Sequence, residues 1–424
     1  MSGNDHTRRM MRANSRRGGT YVTVMITAMI VTVIGLGSLF VVRAHSRTLE
    51  LQADAAEARQ YAHSAVEVGQ WYMQTNSAWR TARPHGVWTA DVELGSGTYT
   101  LEILDPADAD LANWSGDSVV VKGTGKRGHA RQMIQVTMDP APAPLDLLRA
   151  AIHTAGQINV QGGQTLQVGG ALVSTNTTLL NSGRIEGDVE AAAAVSLGVI
   201  TGSVTLLAPA KDMPAANVVN QYASRGTVIS PGDTLEEFVL TPDVNPWGEG
   251  NKYGIYVMSS SSDVTIRNCR IHGTLVIRVS AGRRVRIEDN VLLETANPDF
   301  PVLIVQGDLD LKHDGGSSVL LESDAGVNLN PSGAPYEGAT DSDTDDKYPS
   351  EIVGLVHATG KVRLMSNGRV RGAIIAESND ALAAVDVSGN FEIVYDANLY
   401  ANPPIGYGTS AMEVRPVSWV RIVD

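Results

Sequence analysis

The sequence predicts a mainly β protein carried on a single N-terminal transmembrane helix, and three observations predict it. Thr20 to Val42 is a run of 23 residues without a charge. From residue 86 onward, short segments of alternating apolar and polar residues are separated by glycine, asparagine and proline. Within Gly254–Glu294, Val264-Thr-Ile266-Arg-Asn268 matches Val285-Arg-Ile287-Glu-Asp-Asn290 at a spacing of 21 or 22 residues, a suitable length for one coil of a right-handed parallel β-helix. Abundant glycine (42 residues) and scarce aromatics (5%) suit such a coil better than a helical bundle.

At about 1.5 Å per residue, the uncharged run 20–42 can cross the roughly 30 Å apolar core of a bilayer. Arg8, Arg9, Arg12, Arg16 and Arg17 precede it, against Arg43 and Arg47 after it. That bias makes residues 1–19 a cytoplasmic basic leader and places the rest outside. A signal-peptide core would be shorter, about 7–15 residues. Residues 43–82 continue as an amphipathic helix: Leu51, Ala55, Ala58, Ala62, Ala65, Gly69 and Tyr72 form one stripe, and Asn76-Ser77, then Arg83-Pro84, mark the end.

A small antiparallel meander follows over 86–138. Val87–Leu94 and Thr98–Leu104 flank a Gly-Ser-Gly turn, and Ser118–Lys122 and Ala130–Met138 flank a glycine-rich turn over 123–128. Leaning on the helix buries the apolar face of each. Residues 139–155, with Pro140, Pro142 and Pro144, read as a stiff linker.

A basic leader ending in Arg16-Arg17-Gly18-Gly19, an apolar helix running into an amphipathic one, and a β meander together resemble a type IV pilin or pseudopilin over about residues 10–138. The likeness is greatest to the PilX- or K-type minor members. It implies peptidase cleavage after Gly18 or Gly19, leaving Gly19 or Thr20 as the first mature residue. It also implies an inner-membrane location and pilus or type II secretion subunits as partners. Most members carry a glutamate at the fifth mature position; Thr23 or Val24 stands there, which argues against a major filament subunit but not against a tip subunit. An ordinary signal anchor is the alternative.

Residues 156–424 read as the β-helix. No strand is long enough to bury a core alone, so successive coils are expected to stack, with Asn268 and Asn290 in register. The single cysteine, Cys269, excludes an internal disulfide and has the parity of a buried wall residue. From about 156 to 408 the chain is similar to a family of bacterial exported β-helix proteins of unestablished function. Asn245-Pro-Trp-Gly, Arg270-Ile-His-Gly-Thr-Leu-Val and Asn402-Pro-Pro-Ile-Gly-Tyr carry that resemblance. Val414–Val423 is a final strand that closes the coil or packs on the meander.

Two features bear on chemistry. Asp308 and Asp310 have the parity to face one side of a strand and read first as solvated outer-face charges; the alternative is that they are the candidate catalytic pair of a carbohydrate-active enzyme. Asp341, Asp343, Asp345 and Asp346 lie in a turn-rich loop that could gather oxygens on Ca²⁺, although Asp346 stands where an EF-hand needs glycine. A solvated acidic loop is the alternative there. With a net charge of −13 the chain is unsuited to nucleic acid. The function expected is a structural or adhesive protein of the cell envelope, with a glycan-binding or polysaccharide-cleaving β-helix as the alternative.

Overall fold

The computed structural model describes residues 17–196, 198–316 and 318–422, apart from the side chains of Arg17 and Gly18. Residues 1–16 of the basic leader, and Val423 of the tail, lie outside the described residues.

Helix α1 (Arg17–Thr75) is continuous from the apolar run into the amphipathic stretch. It is exposed from residue 19 to 53, and by length and composition its apolar part can cross a membrane. Farther along, the alanine stripe is buried: Ala58, Ala62 and Ala65 pack with Val66 and Met73 against a sheet. The helix stops at Thr75, at the Asn76-Ser77 signal rather than at residue 82, and Trp79–Ala82 forms a separate short helix. Asn76 turns the chain there, its Oδ1 accepting from Ala78 N–H at 3.0 Å and its Nδ2 donating to the Tyr72 hydroxyl at 2.9 Å.

The sheet under α1 comprises β1 (Gly86–Leu94), β2 (Gly97–Leu104), β3 (Val119–Arg127) and β4 (Ala130–Pro140), antiparallel in chain order. Strand β3 does not end at Lys122 as expected; it runs through Gly123 and Gly125, and the turn shrinks to Gly128-His129. Those glycines serve the helix instead. A Cβ on Gly123 would lie 2.1 Å from Ala62 O, and one on Gly125 would lie 2.0 Å from Ala58 O. Alanine on the helix and glycine on the strand thus let two backbones approach closely. The chain's tail completes this sheet, because Met412–Val414 and Val420–Ile422 both pair antiparallel with β4.

The expected linker is largely structured. Asp146–Arg149 forms a 3-10 turn and Ala150–Thr154 is already a buried parallel strand. Only 141–145 crosses between the two parts, and it is zipped to the returning segment 407–411. Ala141 N–H donates to Ala411 O at 2.9 Å, Thr409 N–H to Ala143 O at 2.8 Å and Leu145 N–H to Tyr407 O at 3.2 Å. The expected boundaries at 156 and 424 therefore shift: the parallel body starts at Ala150, and the tail belongs to the meander.

That body consists of a 15-stranded and an 8-stranded sheet whose strands pair in parallel, layer upon layer. Aliphatic rows run through the smaller sheet, as in Val264–Val285–Leu309–Val362–Val385–Ile158–Leu179, with every member buried. The larger sheet faces them with Tyr256–Leu275–Leu303–Val356–Ile374–Ile152–Val173. Its other face, including Ile255, Val276, Ile304 and Ile375, is covered by the helix Val218–Arg225 and by Trp114, Phe300 and Tyr407.

The layers are not stacked in chain order. Ile158–Val160, among the first strands of the body, pairs with Val385–Val387, among the last. Residues 150–206 build away from that junction, the chain then crosses to the opposite end, and 227–395 fills back toward it. Joining the two runs covers a strand edge on each that would otherwise be bare. The expected asparagine pair also changes. Val264 pairs with Val285 but Cys269 with Val291, so Asn290 is an extra residue at the corner. Glu237, Asn268 and Asp289 turn successive layers there, with φ of 58°, 47° and 55°.

Candidate functional site

The residues expected to mark processing, Gly18, Gly19 and Thr20, lie in the first turn of α1. The polar side chains farther into the apolar run are satisfied within the helix itself. Thr23, Thr32 and Ser38 hydroxyls donate to the carbonyls of Gly19, Ala28 and Ile34 at 2.7–2.8 Å, and Thr27 does the same to Thr23. Back-bonding of this kind lets hydroxyls enter hydrocarbon without an unpaired donor.

Asp308 and Asp310 do project from one face of their strand, but they are engaged in an ion-pair array. On the outer face of the smaller sheet, Arg286, Asp310, Arg363, Asp386 and Asn159 are cross-strand neighbours in that order. Arg363 grips Asp310 with Nε and a terminal nitrogen at 2.7 and 2.6 Å, and Arg284 and Arg286 close in at 3.4 and 3.8 Å. Burial pushes the Asp310 carboxyl up to about 6, against the pull of Arg284 and Arg286. Asp308 Oδ1 accepts from Lys361 N–H at 2.9 Å. This arrangement holds strands together and leaves neither carboxylate poised across an open groove.

Buried histidines on the larger sheet escaped sequence reasoning. Their one signal is a polar residue at the parity of aliphatic neighbours, as in Ala150–Thr154 and Glu351–Ala358. His153 Nδ1 lies 2.9 Å from Ser174 Oγ, which donates to Glu190 at 2.7 Å, and Lys211 closes the chain on Glu190 at 2.6 Å. The glutamate is on the serine rather than on the histidine, so this order cannot activate a nucleophile as a serine triad does. His357 bridges the Tyr407 hydroxyl and Glu377, each at 2.9 Å.

Burial pushes His153 down to about 3, helped by Lys211, and His313 down to about 4. Both are neutral in the folded chain at pH values where the unfolded chain, with a histidine pKa near 6.5, takes up protons. Their stabilising contribution is therefore complete above 6.5 and is lost as pH falls toward the folded values. Each should cost about 1.4 kcal/mol per pH unit below 6.5. A melting temperature that stayed level from pH 7 to pH 5 would contradict this; His313→Gln should flatten the profile.

Between the stack and an insertion over 322–350 lies a cleft of about 410 Å³ lined by Arg270, His272, Glu294, Tyr336 and Glu337. Arg270 is 2% exposed and holds the insertion, donating to the carbonyls of Leu329, Ala334 and Pro335 at 2.7–2.8 Å. Cys269 beside it is fully buried in the main core, and burial raises its thiol far above the usual range, so it is an inert wall residue.

The acidic loop is brought together with a residue distant in sequence. One oxygen each from Glu322, Asp341 and Asp343 lies within 4.8 Å of the other two. Asp346 joins through Asn330, whose Nδ2 donates to Asp346 at 2.9 Å and to Asp341 at 3.3 Å. Asp345 is outside the cluster; its N–H donates to Asp343 at 3.2 Å. A second acidic trio, Asp105, Asp108 and Asp117, differs in carrying counter-charge. Arg225 pairs with Asp117 at 2.9 Å, and the buried Arg80 binds the Asp117 carbonyl.

No protein-family model matches the chain, and no curated protein matches its sequence. Among solved structures it is similar to the competence-associated pilin ComZ from Thermus thermophilus (13% identity, 87% of this chain and 98% of that one, TM-score 0.30). It is also similar to a glycosylated ice-binding protein from an Arctic yeast (12% identity, 60% and 94%, TM-score 0.32). A third likeness is to the DUF3494 domain of ice-binding protein 1 from Shewanella frigidimarina (11% identity, 60% and 97%, TM-score 0.26). Similarity this shallow carries no ligand, activity or partner across to this chain.

Proposed function

We propose that this chain is a membrane-anchored structural protein of the cell envelope, in which a pilin-like helix and meander hold a right-handed β-helix outside the inner membrane. One observation carries the reading. A single helix is bare and apolar in its first half and packed through small residues on a meander in its second. Bare apolar helix requires either lipid or neighbouring helices, and both are provided by a membrane that feeds a pilus or pseudopilus. Arginines before the apolar run favour a cytoplasmic N-terminus. The role suggested is a minor, tip-type subunit that presents a rigid surface to other envelope subunits or to extracellular polysaccharide.

Intact mass and N-terminal peptides of the protein from membranes decide the finer point. A mature chain starting at Gly19 or Thr20 is the expected result. Retention of residues 2–19 would remove the pilin-type reading and leave a simple anchor.

A further inference from the structure

We infer that the cleft between the stack and the insertion binds a neutral sugar unit, with His272, Glu294, Tyr336 and Glu337 as its polar contacts.

The floor of the cleft is a cross-strand row: His272 pairs with Glu294, and Glu294 with Val353, in successive layers. The wall is a hairpin of the insertion. Tyr336 and Ala339 exchange both backbone hydrogen bonds, at 2.9 and 2.8 Å, because Glu337 and Gly338 turn the chain between them with φ of 47° and 85°. That turn brings Glu337 to the same cleft as Glu294. The three carbonyls held by Arg270 lock wall to floor, so the cleft is formed before any ligand arrives. Its 410 Å³ falls within the range of about 300–1,000 Å³ common to small-molecule sites.

The polar groups of the lining are unused. Elsewhere in the stack arginine takes up the carboxylates, as Arg371 does Glu351 at 2.7 Å. Here, among the described residues, no hydrogen bond or ion pair engages the side chains of His272, Glu294 and Glu337 or the hydroxyl of Tyr336.

The charges disfavour an ion of either sign. An anion would meet two glutamates. A cation would meet Arg270, whose guanidinium lies 5.1 Å from the Tyr336 ring centre. It would also meet a Glu294 carboxyl whose pKa is raised by burial, against the pull of Arg270. Nor, among the described residues, do His272, Glu294 and Glu337 bring ligand atoms within 4.8 Å of one another, as a single metal ion would require. Hydroxyls fit what remains. They donate to the two carboxylates, and they can both give to and accept from the phenol and the imidazole, which burial and Arg270 keep neutral. Tyr336 and Val353 supply apolar surface for the C–H face of a sugar ring. This narrows the polysaccharide-facing surface proposed above to one site and rests on that part of the reading; it is independent of how the N-terminus is processed.

The test uses the full chain, purified in a detergent without a sugar headgroup and titrated with short neutral glucans, mannans and galactans by ligand-observed NMR. Saturable binding of at least one of them is expected, with one site per chain. Glu337→Ala removes an exposed carboxylate that has no partner in the fold, so its melting temperature should match wild type. Its affinity for the sugar should fall about tenfold, and Glu294→Gln, which keeps the shape of the side chain, should weaken binding likewise. Absence of saturable binding to all three classes, a preference for acidic or amino sugars, or a Glu337→Ala chain with wild-type affinity overturns the inference. None of these results alters the N-terminus expected above, so failure of the sugar site is distinct from failure of the pilin-type reading.

Discussion

Replacing Gly125 with valine should detach α1 from the meander and destabilise that half of the protein by about 3 kcal/mol or more. Even the first carbon of a side chain would stand 2.0 Å from Ala58 O and 2.6 Å from Ala62 N, and neither is the tip of a flexible side chain. The strand, the helix or both must retreat. Gly123→Val should act the same way through Ala62 O at 2.1 Å. Gly162→Ala is the control, because its Cβ would meet nothing closer than 3.8 Å. Melting curves, with protease cleavage mapped along residues 58–73, separate the outcomes. If Gly125→Val melted with Gly162→Ala, close approach of helix and strand would not be what fixes α1 in place.

Arg270→Ala should free the insertion from the stack. Three carbonyls would lose their shared donor at once, and Tyr336 would lose the guanidinium lying 5.1 Å from its ring centre. Removing one partner from a buried, charge-assisted cluster costs about 3–5 kcal/mol. The loss should be local: backbone amides of 329–336 should exchange rapidly while those of β1–β4 keep their protection. Arg270→Lys should recover little, because an ammonium cannot reach three carbonyls with a planar fork. Unchanged exchange over 329–336 in Arg270→Ala would refute this account of the insertion.

What the sequence reveals follows the range of each signal. The apolar run, the alanine stripe and the parity of Val264–Ile266 against Val285–Ile287 are local patterns, and they appear in the structure as a bare helix, a packed helix face and paired strands. Gly123 and Gly125 look like a turn from sequence because their purpose lies on a helix some sixty residues earlier, which local pattern cannot show. The order of layers is similarly hidden. Strands such as Ile158–Val160 and Val385–Val387 offer the same valine and isoleucine faces as many others, so aliphatic alternation fixes which side is inside but not which strand is next. The ion pairs of Asp310 were hidden for the same reason: its arginine partners come from strands on either side, 26 and 53 residues away. Glu322 joined the acidic loop only through strand pairing.

The out-of-order stack has a consequence for how the chain becomes a protein. A linear repeat array can grow from one end, each unit burying the last as it emerges. Here Asn159 bonds to Asp386 across 227 residues, and the zipper of 141–145 on 407–411 waits for almost the whole chain. The first strands of the parallel body to be synthesised are therefore obliged to wait, one edge bare, until the last arrive. Such delayed closure is slow and exposes aggregation-prone edges. The growing chain would have to shelter residues 150–206, and a chain cut short before Val385 would lose the beginning of the parallel body as well as its end.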